Sequence, residues 1–230
     1  MVSATKLFAQ SPSPHHATGE DTRARLLAAA TEVFLEVGFR AARVQDIAQR
    51  AGLRLSAINY HFESKEGLYL AVLRHHADKA LAATPLQQPG VEQPVRARFD
   101  FAVSALVNRM LDPHGPSRIG QLMLRELTNP TPALEVLLEH FNLPQAKQFL
   151  TLLAEIVGPA VPHEALTRCL VSIFGQCAVH MAGRPMIKRL APEIFTGEDV
   201  LARVTRHVAD FSWAGLHAIR AQWEKPDAPG

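Results

Sequence analysis

The chain has 230 residues, 47% of them hydrophobic and 20% charged, with a net charge of +2. That length and apolar content build a substantial core, divided most naturally into one small and one larger domain, and two cysteines make no disulfide framework. No run of residues approaches the 18 or more apolar positions of a membrane span, and the total charge is low for a nucleic-acid binder, so its distribution decides.

Residues 1–20 lack the apolar centre of a secretory signal and are rich in Ser, Pro and His. They read as a flexible tail, and a cytoplasmic location is expected. Asp21 or Thr22 is suited to cap a helix whose Leu26, Ala30, Val33, Phe34 and Val37 form an apolar stripe ending at Gly38. Next, Val44, Ile47, Ala48 and Ala51 recur at i, i+3, i+4 and i+7, which puts them on one face of a short helix. Gly52 stands where that helix must stop, and glycine enters the left-handed conformation of a helix stop without steric cost.

A second short helix follows. Leu53, Ala57, Ile58 and Phe62 supply its buried side, leaving Arg54, Leu55, Ser56, Asn59, Tyr60 and His61 outward. Guanidinium, amide, phenol and imidazole groups on one exposed helix face suit base edges and phosphates in a major groove. Ser64 is a plausible N-cap for a further helix carrying Leu68, Val72 and Leu73, with Lys65 in its first turn. A cation there opposes the helix dipole, which a nearby phosphate would offset. From Arg40 to Lys65 the cations Arg40, Arg43, Arg50, Arg54 and Lys65 face Asp46 and Glu63, a local +3. Paired amphipathic helices also occur in many helical proteins that bind no DNA.

The stretch Gly38 to Val72, GFRAARVQDIAQRAGLRLSAINYHFESKEGLYLAV, resembles the DNA-binding domain of the TetR family of bacterial transcriptional regulators. The likeness covers about 60 residues, and the YHF-x-x-K element followed by an apolar helix carries most of it. The resemblance implies an all-α chain: a three-helix helix-turn-helix domain at 21–82, a larger helical effector-binding and dimerisation domain at 83–225, and a tail at 226–230. It assigns DNA contacts to Arg43, Gln45, Arg54, Leu55, Ser56, Ala57, Asn59, Tyr60, His61 and Lys65, the last as a phosphate-contacting lysine. It also implies double-stranded operator DNA and a small-molecule effector as partners, and no cofactor.

Several positions depart from the family pattern. Threonine or serine is usual where Ala42 and Arg43 stand, serine at Arg54, glycine at Ser56 and tyrosine at Asn59. Losing a hydroxyl cap at position 43 costs about 1 kcal/mol unless Arg43 gains a phosphate. Arginine reads guanine and asparagine reads adenine by paired hydrogen bonds, so Arg54 and Asn59 are expected to help set operator sequence. The same departures keep open a helical sensor or interaction protein of this fold without sequence-specific DNA binding.

Prolines punctuate the rest of the chain. Pro85, Pro89 and Pro94 mark a linker, and later pairs separate helical segments at 94–112, 116–129, 132–158, 163–183 and 198–224. Pro144 should kink or split the third. There is no sustained two-residue alternation and no internal repeat. Asp112 to Leu134, DPHGPSRIGQLMLRELTNPTPAL, resembles the C-terminal domain of a CecR-like branch, whose regulators are associated with drug sensitivity, efflux and transport genes.

In the fourth segment Cys169, Ile173, Cys177 and Met181 recur every four residues beside Arg168, Ser172, Gln176 and His180. The fifth carries Leu201, Val204, Val208, Phe211, Gly215 and Ile219 in line. These stripes are either the domain's own core or the homodimer interface that the resemblance implies for the last two long helices. The small residues Gly175, Ala178, Ala182, Ala214, Gly215 and Ala218 would let such helices approach closely.

An apolar effector cavity is expected from Met110, Leu122, Met123, Phe141, Phe149 and Phe174, with Arg118, Gln121, Arg125, Gln176 or His180 as polar contacts. Cys169, Cys177 and His180 lack zinc spacing, and no nucleophile elbow, phosphate loop or H-E-x-x-H element occurs. Neither a metal nor catalysis is expected. The reading is a homodimeric, effector-responsive repressor binding a pseudo-palindromic operator.

Overall fold

A computed structural model describes residues 19–86, 92–112 and 118–224. All its elements are helical: α1 (Gly19–Ala41), α2 (Val44–Ala51), α3 (Leu55–Phe62), α4 (Lys65–Ala83), α5 (Val95–Leu111), α6 (Ile119–Thr128), α7 (Ala133–Leu137), α8 (Leu143–Val157), α9 (His163–Ala182), α10 (Arg184–Leu190) and α11 (Val200–Glu224). A π turn, Leu138–Asn142, joins α7 to α8, and a 3₁₀ turn, Pro192–Phe195, follows α10. The expected tails fall almost wholly outside the described residues, as do Pro89, Pro113 and Pro116.

Sequence periodicity turns into packing directly in the first four helices. Leu26, Ala30, Val33 and Phe34 are buried, whereas Val37 is half exposed, because the helix breaks one residue later at Gly38 (φ 80°). Gly52 closes α2 at φ 65°, ψ 37°, the left-handed stop the sequence calls for. Ser64 caps α4, its Oγ accepting from the Gly67 N–H at 3.0 Å. That glycine is obligatory, since a Cβ there would run into the Phe62 carbonyl oxygen. The α3–α4 corner is therefore fixed by close backbone contact.

Two apolar cores result. One gathers α1 to α4 together with Ile119, Leu122 and Met123 of α6, Leu137 of α7 and Phe141 of the π turn. The other unites α5, α8, α9 and α11 around Phe99, Leu153, Cys177 and Val208. Thus α6 shares one core with the helix-turn-helix while joining in sequence the helices of the other.

The expected break at Pro144 takes a specific form. Proline lacks the N–H that would bond to the carbonyl four residues back, and its ring crowds that carbonyl. The chain stays right-handed helical but widens into the π turn just before it, leaving Pro144 in the first turn of α8. Helix α10, absent from the sequence reading, starts with Pro185 in its first turn, where a missing N–H costs nothing. Helix α9 is long and apolar enough, by length and composition alone, to cross a membrane, and only 22% of that window is buried within the chain.

Candidate nucleic-acid interface and effector cavity

The outward side of α3 is assembled from groups that make no hydrogen bond or ion pair among the described residues. Ile58 and Phe62 anchor the helix in the first core. Arg54, Leu55, Ser56, Asn59 and Tyr60 point to solvent, Tyr60 being 83% exposed, while Ala57 and His61 are half-buried at the edge. Arg43 and Arg54 are the N-cap residues of α2 and α3, and neither makes a side-chain cap hydrogen bond. The hydroxyl caps are lost, as the sequence implies, and both guanidiniums are exposed beside exposed Gln45.

Two of the cations counted in the local excess are committed elsewhere. Arg50 forms a two-bond pair with Glu36 at 2.6 and 2.9 Å, which holds the Glu36 carboxyl below the usual carboxylate range. Lys65 stacks over the Phe39 ring at 4.7 Å, and its Nζ donates to the Arg40 carbonyl at 3.3 Å. Arg25, unremarked in the sequence, donates to the Ala51 carbonyl at 2.7 Å and so closes the end of α2.

An apolar cavity of about 280 Å³ lies between α5, α6, α8 and α9. Of the expected lining residues, Met110, Met123, Phe141, Phe149 and Phe174 surround it, with Leu106, Gly120, Leu170 and Met181. Leu122 is on the opposite side of α6, fully buried in the first core. None of the five expected polar contacts reaches the cavity. Arg125 donates to the carbonyls of Leu35 and Glu36, which the break at Gly38 deprives of helical partners. The Arg118 N–H donates to His76 Nδ1 at 3.1 Å, Gln121 is exposed, Gln176 donates to Ser212 Oγ at 3.1 Å, and His180 bonds to the Gln176 carbonyl. The polar residues that do line it are Arg109, Asn142 and Gln145. Sequence periodicity missed Arg109 because it reads as one more basic residue near a helix end.

Helix α6 has two working sides. Ile119, Gly120, Met123, Leu124 and Leu127 face the cavity. On the other side the Tyr69 hydroxyl donates to Glu126 Oε1 at 2.6 Å, and Thr131 donates to the same carboxylate through its N–H at 3.0 Å and its hydroxyl. Glu126 is 1% exposed. Burial and the acidic neighbour push the Tyr69 phenol up, so it remains a donor. His76, also buried, meets Thr31 Oγ1 at 3.1 Å; burial, with His75, Lys79 and Arg118 nearby, lowers its pKa to about 4, so the ring is neutral.

The stripe Cys169–Ile173–Cys177–Met181 turns inward: Ile173 and Cys177 are core, and Met181 borders the cavity. Burial pushes the Cys177 thiol up to about 12, the opposite of a reactive or metal-binding cysteine. Val204 and Val208 of α11 are likewise core. The neighbouring faces are open, with Val171 (63%), Val179 and Phe211 (65%) exposed beside Gly175, Ala182, Ala214, Gly215 and Ala218. A Cβ on Gly175 or Gly215 would meet nothing within 4 Å.

A glycine-stopped pair of short helices, with a polar outward face on the second, defines a helix-turn-helix regulator. Residues 26–72 match the model of the bacterial regulatory proteins of the tetR family, and residues 95–216, more than half of the chain, match that of the C-terminal domain of the HTH-type transcriptional dual regulator CecR. The chain belongs to the TetR family of transcriptional regulators, in the branch with a CecR-type C-terminal domain. Over 89 residues it is 40% identical to the transcriptional activator FasR of Mycolicibacterium smegmatis, covering 36% of this chain and 41% of FasR. It is 31% identical over 156 residues to CecR of Shigella flexneri, covering 61% of this chain and 66% of CecR. The chain thus matches less than half the length of the first relative. A TetR-like regulator from Rhodococcus sp. RHA1 shares the fold with a TM-score of 0.61 at 16% identity, over 85% of this chain and 96% of that one.

Proposed function

We propose that the protein is a homodimeric, effector-responsive transcriptional regulator that reads a pseudo-palindromic operator with α3 and carries out no chemistry. The observation that carries the reading is the outward face of α3, where Arg54, Ser56, Asn59 and Tyr60 are exposed without hydrogen-bond partners among the described residues while Ile58 and Phe62 anchor the helix in the core. A face left unpaired on a well-packed helix is available for base edges. Gln45 and Arg43 flank it, suited to phosphates.

Dimerisation is assigned to the exposed faces of α9 and α11, where Val171, Val179 and Phe211 surround glycines with open space above them. Small residues there allow close helix approach, and two-fold symmetry would set the recognition helices about 34–36 Å apart, in successive major grooves. This contact also accounts for the apolar composition of α9 in a chain working on cytoplasmic DNA.

The effector occupies the apolar cavity. To act, it must bind one separation of the recognition helices better than the other. Helix α6, in contact with the cavity on one side and tied to α1 and α4 on the other, carries the change. Repression is part of the same reading, and control of efflux or transport genes is assigned by analogy with the CecR-like branch.

Selection from a random duplex pool at near-physiological salt tests the reading. A palindrome should be enriched, its binding weakened by Tyr60→Ala, and Arg54→Ala and Asn59→Ala should each lose about 1–3 kcal/mol of preference for it over scrambled DNA. Phe211→Glu should convert the dimer to a monomer and abolish operator binding. Equal affinity for operator and scrambled duplexes would leave the helical sensor without sequence-specific DNA binding.

A further inference from the structure

The cavity is apolar except at one end, where Arg109 of α5, Gln145 of α8 and Asn142 of the π turn meet. Arg109 Nε donates to Thr84 Oγ1 at 2.8 Å, one terminal nitrogen donates to the Thr84 carbonyl and the other to Gln145 Oε1. All three acceptors are neutral, and among the described residues no carboxylate pairs with this guanidinium. Burial alone lowers its pKa to about 10, so the cation persists at neutral pH. A guanidinium carries five N–H groups; three are used, leaving one on each terminal nitrogen. Asn142 Oδ1 is buried without a hydrogen-bond partner, and turning the amide over would present its two N–H donors to the same place.

We infer that the effector is an amphipathic anion, an apolar body ending in a carboxylate, whose head group pairs with Arg109 while its body lies against Met123, Phe149 and Phe174. A buried cation with spare donors and no counter-charge gains most from an oxyanion, and the apolar remainder of the cavity takes the body. The inference deepens the effector reading above and rests on it. It also supplies a direct coupling. Thr84 is the residue that closes α4, so an anion drawing on Arg109 acts on the group that holds the end of the helix leaving the DNA-binding domain.

Isothermal titration of the full chain with decanoate, 1-decanol and decyltrimethylammonium, together with operator release by each, tests this. Decanoate should bind at least about tenfold tighter than 1-decanol, the yield of one charge-assisted bond, and the cation should not bind. Arg109→Gln should remove the preference for decanoate over 1-decanol, while Arg109→Lys keeps part of it; the probe series on the unaltered protein stands even where a variant misfolds. Equal binding of decanoate and 1-decanol, both lost on filling the cavity with Ala178→Phe, would overturn the anion and leave the effector cavity standing. Absence of binding by all three probes would overturn both.

Discussion

The outward face of α3 and the junction around α6 are both polar surfaces of short helices, yet they are built in opposite ways. On α3 Arg54, Ser56, Asn59 and Tyr60 are exposed and make no hydrogen bond among the described residues, so removing one leaves the packing beneath untouched. Around α6 they are paired within the molecule: Glu126 with Tyr69 and Thr131, His76 with Thr31 and Arg118, Arg125 with the end of α1. A surface that reads a partner keeps its hydrogen-bonding capacity for that partner. Groups buried between packed helices must be satisfied within the molecule, because each buried group left unmade costs about 1–3 kcal/mol.

That contrast is sharpest at Glu126. Glu126→Ala strands the Tyr69 hydroxyl and Thr131 and should lower unfolding free energy by about 3 kcal/mol, read by urea denaturation. Adding Tyr69→Phe should recover part of that loss, which tests the pairing itself; additive losses would break the comparison. Next comes Gly67→Ala, whose methyl meets the Phe62 carbonyl. Overpacking at this corner should cost about 1–3 kcal/mol and tilt α3, so stability and operator affinity fall together, unlike substitutions on the outward face of α3.

Acid probes the junction more gently. The His76 pKa is lowered to about 4 from an ordinary value near 6.5, so between these limits the unfolded chain binds the proton and the folded one does not. Stability contributed by neutral His76 is complete above pH 6.5 and declines as pH falls toward 4. His76→Gln should flatten the profile of thermal midpoint against pH over that interval. The smallest effect belongs to the exposed side: Arg43→Ser restores a hydroxyl cap and should raise stability by about 1 kcal/mol. It should also lower operator affinity and flatten its dependence on salt, as one phosphate contact is lost.

The DNA-binding half was the more legible because its rules are local. A four-residue apolar rhythm, one glycine at a helix end and one serine cap are written within a few positions of where they act, so Gly52, Ser64, Ile58 and Phe62 could be placed without tertiary information. Burial was legible to the same extent in α9, where Ile173 and Cys177 share one side. Which of the two stripes on α9 and α11 would be core, and which left open, was not.

The sequence by itself determined the helical class, the helix-turn-helix and its outward residues, and five of the six apolar residues expected around the cavity, because periodicity and turn chemistry act over short separations. Only the tertiary structure decided what each long polar side chain does. Arg125 caps α1 across 89 and 90 residues of chain, Arg109 enters a cavity as its cation, and Glu126 becomes a buried joint. A flexible charged side chain has many partners within reach, and the choice falls to whichever unsatisfied carbonyl, hydroxyl or void the packed helices bring beside it.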